Sequence, residues 1–96
     1  LDKSISEILL KIKEVNLDHK TLVIFFSDNG QLAEKNNVTF NGSKGDLYEG
    51  GIHMPLIFRW PGVIKPASSC DELVISNDFF NTILEITSDK NNIPEN

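Results

Sequence analysis

The sequence predicts an α/β fold in which helices flank a sheet. Two observations support this prediction. Amphipathic helical patterns occur near both ends of the chain, and strand-like apolar runs occur between them. The resulting order is helix, strand, long loop, strand, short strand and helix, which is typical of layered α/β domains.

Helical periodicity is clearest in the first segment, where five apolar residues recur with helical spacing and predict one apolar stripe. These residues are Ile5, Ile8, Leu9, Ile12 and Val15. Ser4 and Glu7 have the spacing of a capping box, which satisfies free amide donors at the start of a helix. A last helix is predicted over residues 78–86, with a polar residue between 76 and 78 as its cap.

Residues 21–26 form a β-rich run without polar alternation. A strand that is buried on both faces has this pattern, which favours a parallel sheet covered by helices. A second strand is predicted over residues 54–60, and a third short strand over residues 73–75. Between the first two strands, residues 31–51 show no period, and a stretch of this length is usually a functional or a disordered loop.

The composition is that of one ordinary globular domain. The 96 residues are 40% apolar and 24% charged, and 14 acidic against 9 basic residues give a net charge of −5. This acidic balance argues against a nucleic-acid surface, and no apolar run approaches the roughly 18 residues of a membrane helix. The single cysteine, Cys70, excludes an internal disulfide and a zinc site built from several cysteines.

Two adjacent side chains at the end of the first strand are the leading candidates for chemistry. Asp28 and Asn29 offer a carboxylate and an amide carbonyl, which are hard oxygen donors suited to Ca²⁺ or Mg²⁺. In open α/β sheets, ligands bind beyond the carboxyl ends of strands. Asp-Asn-Gly is also a common turn sequence, so the spacing alone favours a turn and leaves a metal site open.

Lys44 stands between glycines in the string Gly-Ser-Lys-Gly. Small neighbours leave backbone amides accessible, so such a lysine can approach an anion. A solvated surface lysine is the simpler interpretation of the same string. The glycines of residues 48–51 indicate a tight turn with positive φ. Structural or bystander roles are the interpretation for four further candidates, which are His19, Glu49, His53 and Cys70.

Four blocks, taken in order, resemble the later part of the sulfatase catalytic domain. They are residues 21–30 (TLVIFFSDNG), 44–57 (KGDLYEGGIHMPLI), 60–62 (WPG) and 78–82 (DFFNT). The sequence is similar to formylglycine-dependent arylsulfatases, within the alkaline-phosphatase-like superfamily, over nearly its whole length. The resemblance implies that the chain forms a portion of an alkaline-phosphatase-like mixed sheet flanked by helices.

The resemblance also implies roles for individual residues. Asp28 and Asn29 match the pair that binds the family's single divalent cation, usually Ca²⁺, with Mg²⁺ as the alternative. Lys44 matches the lysine that contacts the substrate sulfate, and Asp78 matches a structural aspartate that opens a helix. A divalent cation and a lysine both stabilise the negative charge of a sulfate ester during cleavage. Asn29 suits calcium better than the histidine that two-zinc phosphatase relatives often carry there.

The sequence departs from the family pattern at the nucleophile. The family's formylglycine forms in the motif C-x-P-x-R, or from a serine, but Cys70 is followed by Asp-Glu-Leu-Val and no serine begins such a motif. In the family that motif, the catalytic histidines and further metal ligands lie upstream, so the resemblance places none of them in this chain. Milder departures are Phe26, Asn81 and His53, where threonine, proline and arginine are usual.

These features lead us to expect that residues 1–96 are a partial sulfatase catalytic domain, inactive alone because nucleophile and base are missing. The start at Leu1, without an initiator methionine or a signal-like segment, agrees with this expectation. The parent protein would act on sulfate esters, such as sulfated carbohydrates, and would be exported or lysosomal. Two alternatives remain: a standalone binding or interaction module, which would have to protect its sheet edges, and a phosphoesterase relative.

Overall fold

The structure, a computed structural model, describes residues 1–32 and 40–88. The helices and strands in this part of the chain are α1 (Asp2–Glu14), a 3₁₀ turn (Asp18–Lys20), β1 (Val23–Phe26), α2 (Glu49–Ile52), β2 (Leu56–Arg59) and α3 (Asp78–Ser88). The chain divides into two compact units. Among the described residues, one unit lies within Leu22–Arg59, and the other combines Leu1–Thr21 with residues 60–88. The predicted α/β class is confirmed at this level, and the wider alkaline-phosphatase-like sheet stays an expectation.

The sheet of the described residues consists of β1 and β2, which pair antiparallel with Val23 opposite Arg59 and Phe26 opposite Leu56. The parallel pairing expected from the apolar run is therefore wrong for these two strands. The expected burial on both faces is not seen either, because Val23, Ile24 and Phe25 are half-buried and Phe26 is exposed. An apolar run does not specify strand direction, so antiparallel strands inside a mixed sheet can share this composition. As a consequence, the segment that follows β1 and the segment that precedes β2 lie at the same end of the pair.

The helix predicted near the start of the chain is confirmed as α1, but the capping box is wrong. The helix already begins before Ser4, with Leu1 as its N-cap and without a side-chain cap bond. It ends where Asn16 adopts a left-handed φ of 56°. The Leu17 amide then donates to the Ile12 carbonyl at 3.0 Å, as in a Schellman motif.

The last predicted helix is confirmed as α3, but the third strand predicted over residues 73–75 does not form. The Leu73 side chain is 100% exposed. An apolar run becomes a strand only where a neighbouring strand takes up its backbone hydrogen bonds. Here the Ile75 amide instead donates to the Asp78 carboxylate at 2.9 Å, and the Asp78 amide donates back to the Ile75 carbonyl at 3.0 Å. Asp78 thus fastens the turn that leads into α3.

Trp60 is the buried apolar residue of the described chain, with 7% of its surface exposed. Its indole Nε1 donates to the carbonyl of His19 at 2.8 Å. The His19 ring Nδ1 lies 3.3 Å from the Pro61 carbonyl oxygen. His19 therefore has the structural role that the sequence predicted, since it connects the turn after α1 to the residues that follow β2.

Within residues 1–32 and 40–88, no helix combines the length and apolar character that crossing a membrane requires.

Candidate functional site

The candidate site begins where β1 ends. Asp28 is exposed and Asn29 is half-buried in the turn that follows the strand. The Ser27 hydroxyl donates to the Asn29 backbone carbonyl at 2.8 Å, and Asn29 Nδ2 donates to the Gly30 carbonyl at 2.8 Å. The second bond uses the nitrogen end of the amide. Asn29 Oδ1, the atom that a hard cation would bind, takes no part in this bond.

Three glycines join this turn to α2, and we call them the glycine junction: Gly30, Gly50 and Gly51. The Gly30 amide donates to the Gly51 carbonyl at 3.0 Å, and the Gln31 amide donates to the Gly50 carbonyl at 2.8 Å. A Cβ atom on Gly30 would collide with the backbone of Gly50 and Gly51. Both backbones can approach this closely only because no side chain stands between them.

The glycine junction corrects one expectation. Residues 48–51 do not form the predicted tight turn, because Glu49–Ile52 is the short helix α2. Gly50 and Gly51 serve close packing, whereas positive φ angles occur at Gly42 (82°) and Gly45 (97°) in the preceding loop. Periodicity could not indicate α2, since a single helical turn that contains two glycines has no apolar stripe.

Gln31 ties the loop that carries Lys44 to the same turn. Its side-chain Nε2 donates to the carbonyls of Phe40 and Gly42, at 2.7 and 3.1 Å. Its backbone carbonyl accepts a bond from the Lys44 amide at 2.8 Å. Gln31 lies two residues after Asn29. The structure therefore brings the backbones of the predicted cation pair and the predicted anion-binding lysine together within Leu22–Arg59.

A second set of side chains lies on the other flank of the Lys44 loop. His53 Nδ1 is 2.9 Å from Glu49 Oε2, one helical turn back along α2. The His53 ring also stacks on Phe40, with ring centroids 4.4 Å apart and planes inclined by 15°. His53 thus has the structural role that the sequence predicted, because its ring links α2 to Phe40 at the start of the described loop. Glu49 is an exposed surface carboxylate, as the sequence favoured.

Asp28 and Asn29 fit a hard cation as an incomplete set of ligands. A carboxylate and an amide oxygen are suitable donors, but Ca²⁺ takes roughly six to eight oxygens. Among residues 1–32 and 40–88, no three His, Cys, Asp or Glu side chains come close enough together to hold a metal ion. Further ligands would have to join this pair. Cys70 is an exposed free thiol, in keeping with its predicted bystander role.

Several residues of the site were not indicated by the sequence pattern: Gln31, Phe40, Ser43 and Asp46. The two hydrogen bonds from Gln31 Nε2, to the Phe40 and Gly42 carbonyls, depend on where the loop folds back, and local sequence does not specify this. The Lys-Gly step was a usable signal for Asp46, since glycine after lysine favours a turn that ends one residue later.

The fold and the site define an α/β protein with a polar site at one end of its sheet. Two oxygen donors follow a strand, and backbone hydrogen bonds connect their turn to the loop that carries a lysine. The family assignment comes from comparison with known proteins. The model of the sulfatase family matches residues 1–89. The chain belongs to the sulfatase family, as the four sequence blocks predicted.

Individual relatives agree with this assignment. The chain is 38% identical to a sulfatase of Formosa agariphila over 94% of its length, and 33% identical to human steryl-sulfatase over 90% of its length. It is also 33% identical to an arylsulfatase of Hemicentrotus pulcherrimus over 86% of its length. The matched region makes up 18%, 16% and 16% of those proteins, so the chain spans less than a fifth of their length.

Proposed function

We propose that this chain contributes one part of a sulfatase active site that cleaves sulfate esters. In this proposal Asp28 and Asn29 hold a Ca²⁺ ion, and Lys44 binds the sulfate group of the substrate. The observation that carries the proposal is the backbone bond from Lys44 to Gln31. It attaches the lysine loop to the same turn that presents the two oxygen donors.

The chemistry of sulfate ester cleavage explains these residue types. Negative charge is carried by the sulfuryl oxygens, and it grows on the leaving oxygen as the ester bond breaks. A bound Ca²⁺ would supply positive charge to those oxygens. Asp28 and Asn29 hold and orient that charge, and Lys44 donates to the sulfate from a loop whose backbone is already fixed. Such preorganised donors stabilise developing charge without reorganising during the reaction.

The remaining groups of the reaction are assigned to the rest of the parent catalytic domain. These are the formylglycine nucleophile, the catalytic histidines and the further metal ligands. Exposed apolar side chains of α3, such as Phe80 at 71% and Leu84 at 51% exposure, support packing against such a partner domain. We therefore expect the purified 96-residue chain to hydrolyse para-nitrophenyl sulfate no faster than the blank, and turnover above the blank would contradict this division of roles.

The role of Lys44 is tested by Lys44→Ala in the complete polypeptide that carries this sequence. Loss of one preorganised donor is expected to lower kcat/KM for para-nitrophenyl sulfate about a hundredfold. The matched control is Lys65→Ala, since Lys65 is another exposed lysine but lies in the other unit. Equal activity of the two variants would contradict the proposed sulfate contact. Faster cleavage of para-nitrophenyl phosphate than of the sulfate would favour a phosphoesterase instead.

A further inference from the structure

Lys44 occupies a corner of a tight turn that spans residues 43–46. The Asp46 amide donates to the Ser43 carbonyl at 2.8 Å, which closes the turn across Lys44 and Gly45. Gly45 has a φ of 97°, as at the third position of a type II turn. Lys44 therefore stands at the second position, where the backbone direction at its Cα is set by the closure of the turn.

The side chain of Asp46 closes the same turn a second time. Its Oδ2 accepts the Ser43 amide at 2.9 Å and the Ser43 hydroxyl at 3.3 Å. The first and last residues of the turn therefore hold each other through three bonds, one from the backbone and two to the carboxylate. The carboxylate adds two bonds to the backbone bond, and the bond from the Ser43 amide is the shorter of the two, so the turn is held more firmly than a backbone bond alone would hold it.

The turn is also fixed against the rest of its unit. The Lys44 amide donates a hydrogen bond to the Gln31 carbonyl. On the other side, a Cβ atom on Gly51 would collide with the carbonyl oxygens of Ser43 and Asp46, so the turn lies directly on the glycine junction. The base of the Lys44 side chain thus has a defined place next to the strand end.

We propose that Asp46 is a positioning residue for Lys44, and this inference rests on the proposed sulfate contact of that lysine. A lysine reaches its ligand through a flexible four-carbon stem, so the location and direction of its Cα determine where the ammonium group can act. A turn that is already closed before the sulfate arrives reduces the ordering that binding requires. Asp46 acts through the shape of the turn and makes no contact with substrate.

The test compares six variants in the complete polypeptide: Asp46→Ala, Asp46→Asn, Ser43→Ala, Lys44→Ala, the double variant Lys44→Ala/Asp46→Ala and, as a control, Asp71→Ala. Asp71 is an exposed aspartate of the other unit. Affinity for inorganic sulfate is measured by calorimetry, and kcat/KM for para-nitrophenyl sulfate is measured alongside it. Asp46→Ala is expected to weaken sulfate binding about tenfold, which corresponds to about 1.4 kcal/mol. Asparagine retains an oxygen acceptor, so Asp46→Asn is expected to restore affinity to within about threefold of the parent.

Ser43→Ala removes one of the two bonds to the carboxylate and is expected to weaken sulfate binding about threefold. In a Lys44→Ala background, Asp46→Ala is expected to have no further effect, because its action requires the lysine. Ser43→Ala and Asp46→Asn carry the test if Asp46→Ala does not fold.

The possible failures are distinguishable. If Lys44→Ala binds sulfate like the parent, the proposed function fails. If Lys44→Ala loses binding but Asp46→Ala and Ser43→Ala behave like Asp71→Ala, only the positioning role of Asp46 fails. Tighter sulfate binding by Asp46→Ala and Asp46→Asn alike would show that the carboxylate acts through charge repulsion, which also overturns the inference.

Discussion

Two regions of the molecule differ in what fixes their conformation. One is the site segment, by which we mean the turn at Gly30, residues 40–48 and α2; the other is the helix α3 of the other unit. In the first, backbone groups of Gly30, Gly50 and Gly51 contact one another with no side chain between them. In α3, the backbone bonds are internal to the helix, and apolar side chains such as Phe80 remain largely exposed. The site segment thus depends on close backbone approach, whereas α3 depends on local helix formation.

This difference has a consequence for substitutions. A close backbone contact fails when a single methyl group is added, since protein interiors have little room to yield. An exposed helical side chain can be shortened with little cost to the unit that carries it. Substitutions are therefore expected to cost most at the glycine junction and least on the exposed face of α3.

The largest effect is expected from Gly51→Ala. The new Cβ would collide with the carbonyls of Ser43 and Asp46, and relief of that collision is expected to cost about 3 kcal/mol. Amide hydrogen exchange at Gly30 and Gln31 measures the loss, because both amides donate to the glycine junction.

The control for that substitution is Gly45→Ala. No atom lies within 4 Å of the site of its Cβ, but the φ of 97° is unfavourable for alanine. We expect a cost of about 1 to 2 kcal/mol from this conformation alone. If Gly51→Ala and Gly45→Ala reduced the protection of the Gly30 amide equally, close packing would not be what holds the segment.

A smaller effect is expected from Gln31→Ala, which removes two side-chain bonds to the loop. Loss of the bonds to the Phe40 and Gly42 carbonyls is expected to cost about 1 to 2 kcal/mol. Gln31→Glu keeps the shape but places a carboxylate oxygen against those carbonyls, so it is expected to cost more than alanine. Exchange of the Gly50 amide, which donates to Asn41 at 2.7 Å, reports both changes. Protection equal to the parent in Gln31→Glu would show that the amide donor has no role.

The smallest effect is expected from Phe80→Ala in α3. Because 71% of Phe80 is exposed, its truncation in the 96-residue chain is expected to cost less than about 1 kcal/mol. Circular dichroism at the helical minimum checks this, with Asp71→Ala as the control. If Phe80→Ala lowered the helical signal as much as truncation of a buried phenylalanine would, the exposed placement of Phe80 would be contradicted. That result would remove the contrast between the two parts of the molecule.

The same contrast explains how much of the structure could be predicted from the sequence. α1, α3 and the positions of both strands were predictable, because apolar spacing and β-branched composition report local preference. The direction of β2 and the missing strand at residues 73–75 were not predictable, since pairing depends on partners distant in sequence. α2 was also missed, because its glycines are required by contacts with Gly30 and Gln31.

In the site, the residues that could bind a ligand were easier to predict than the residues that hold them in place. Asp28, Asn29 and Lys44 were selected by donor type and by the resemblance to sulfatases, and their roles stay predictions. Gln31 and Asp46, which hold Lys44 in place, are ordinary polar residues. The Lys-Gly step indicates a turn that ends at Asp46, but no local pattern marks Gln31. Their importance depends on which carbonyl or amide they reach after folding, so it becomes visible only in three dimensions.

In the proposed function, Asp28, Asn29 and Lys44 form one site for a cation and a sulfate group. The most direct measurement is a calorimetric titration of the complete polypeptide with inorganic sulfate, with and without Ca²⁺. We predict that Ca²⁺ tightens sulfate binding about tenfold in the parent, a coupling typical of ligands that share a site. Asp28→Ala is expected to lose this gain, while Asp71→Ala retains it. If Ca²⁺ tightened sulfate binding by Asp28→Ala as much as by the parent, Asp28 would not be part of a shared site.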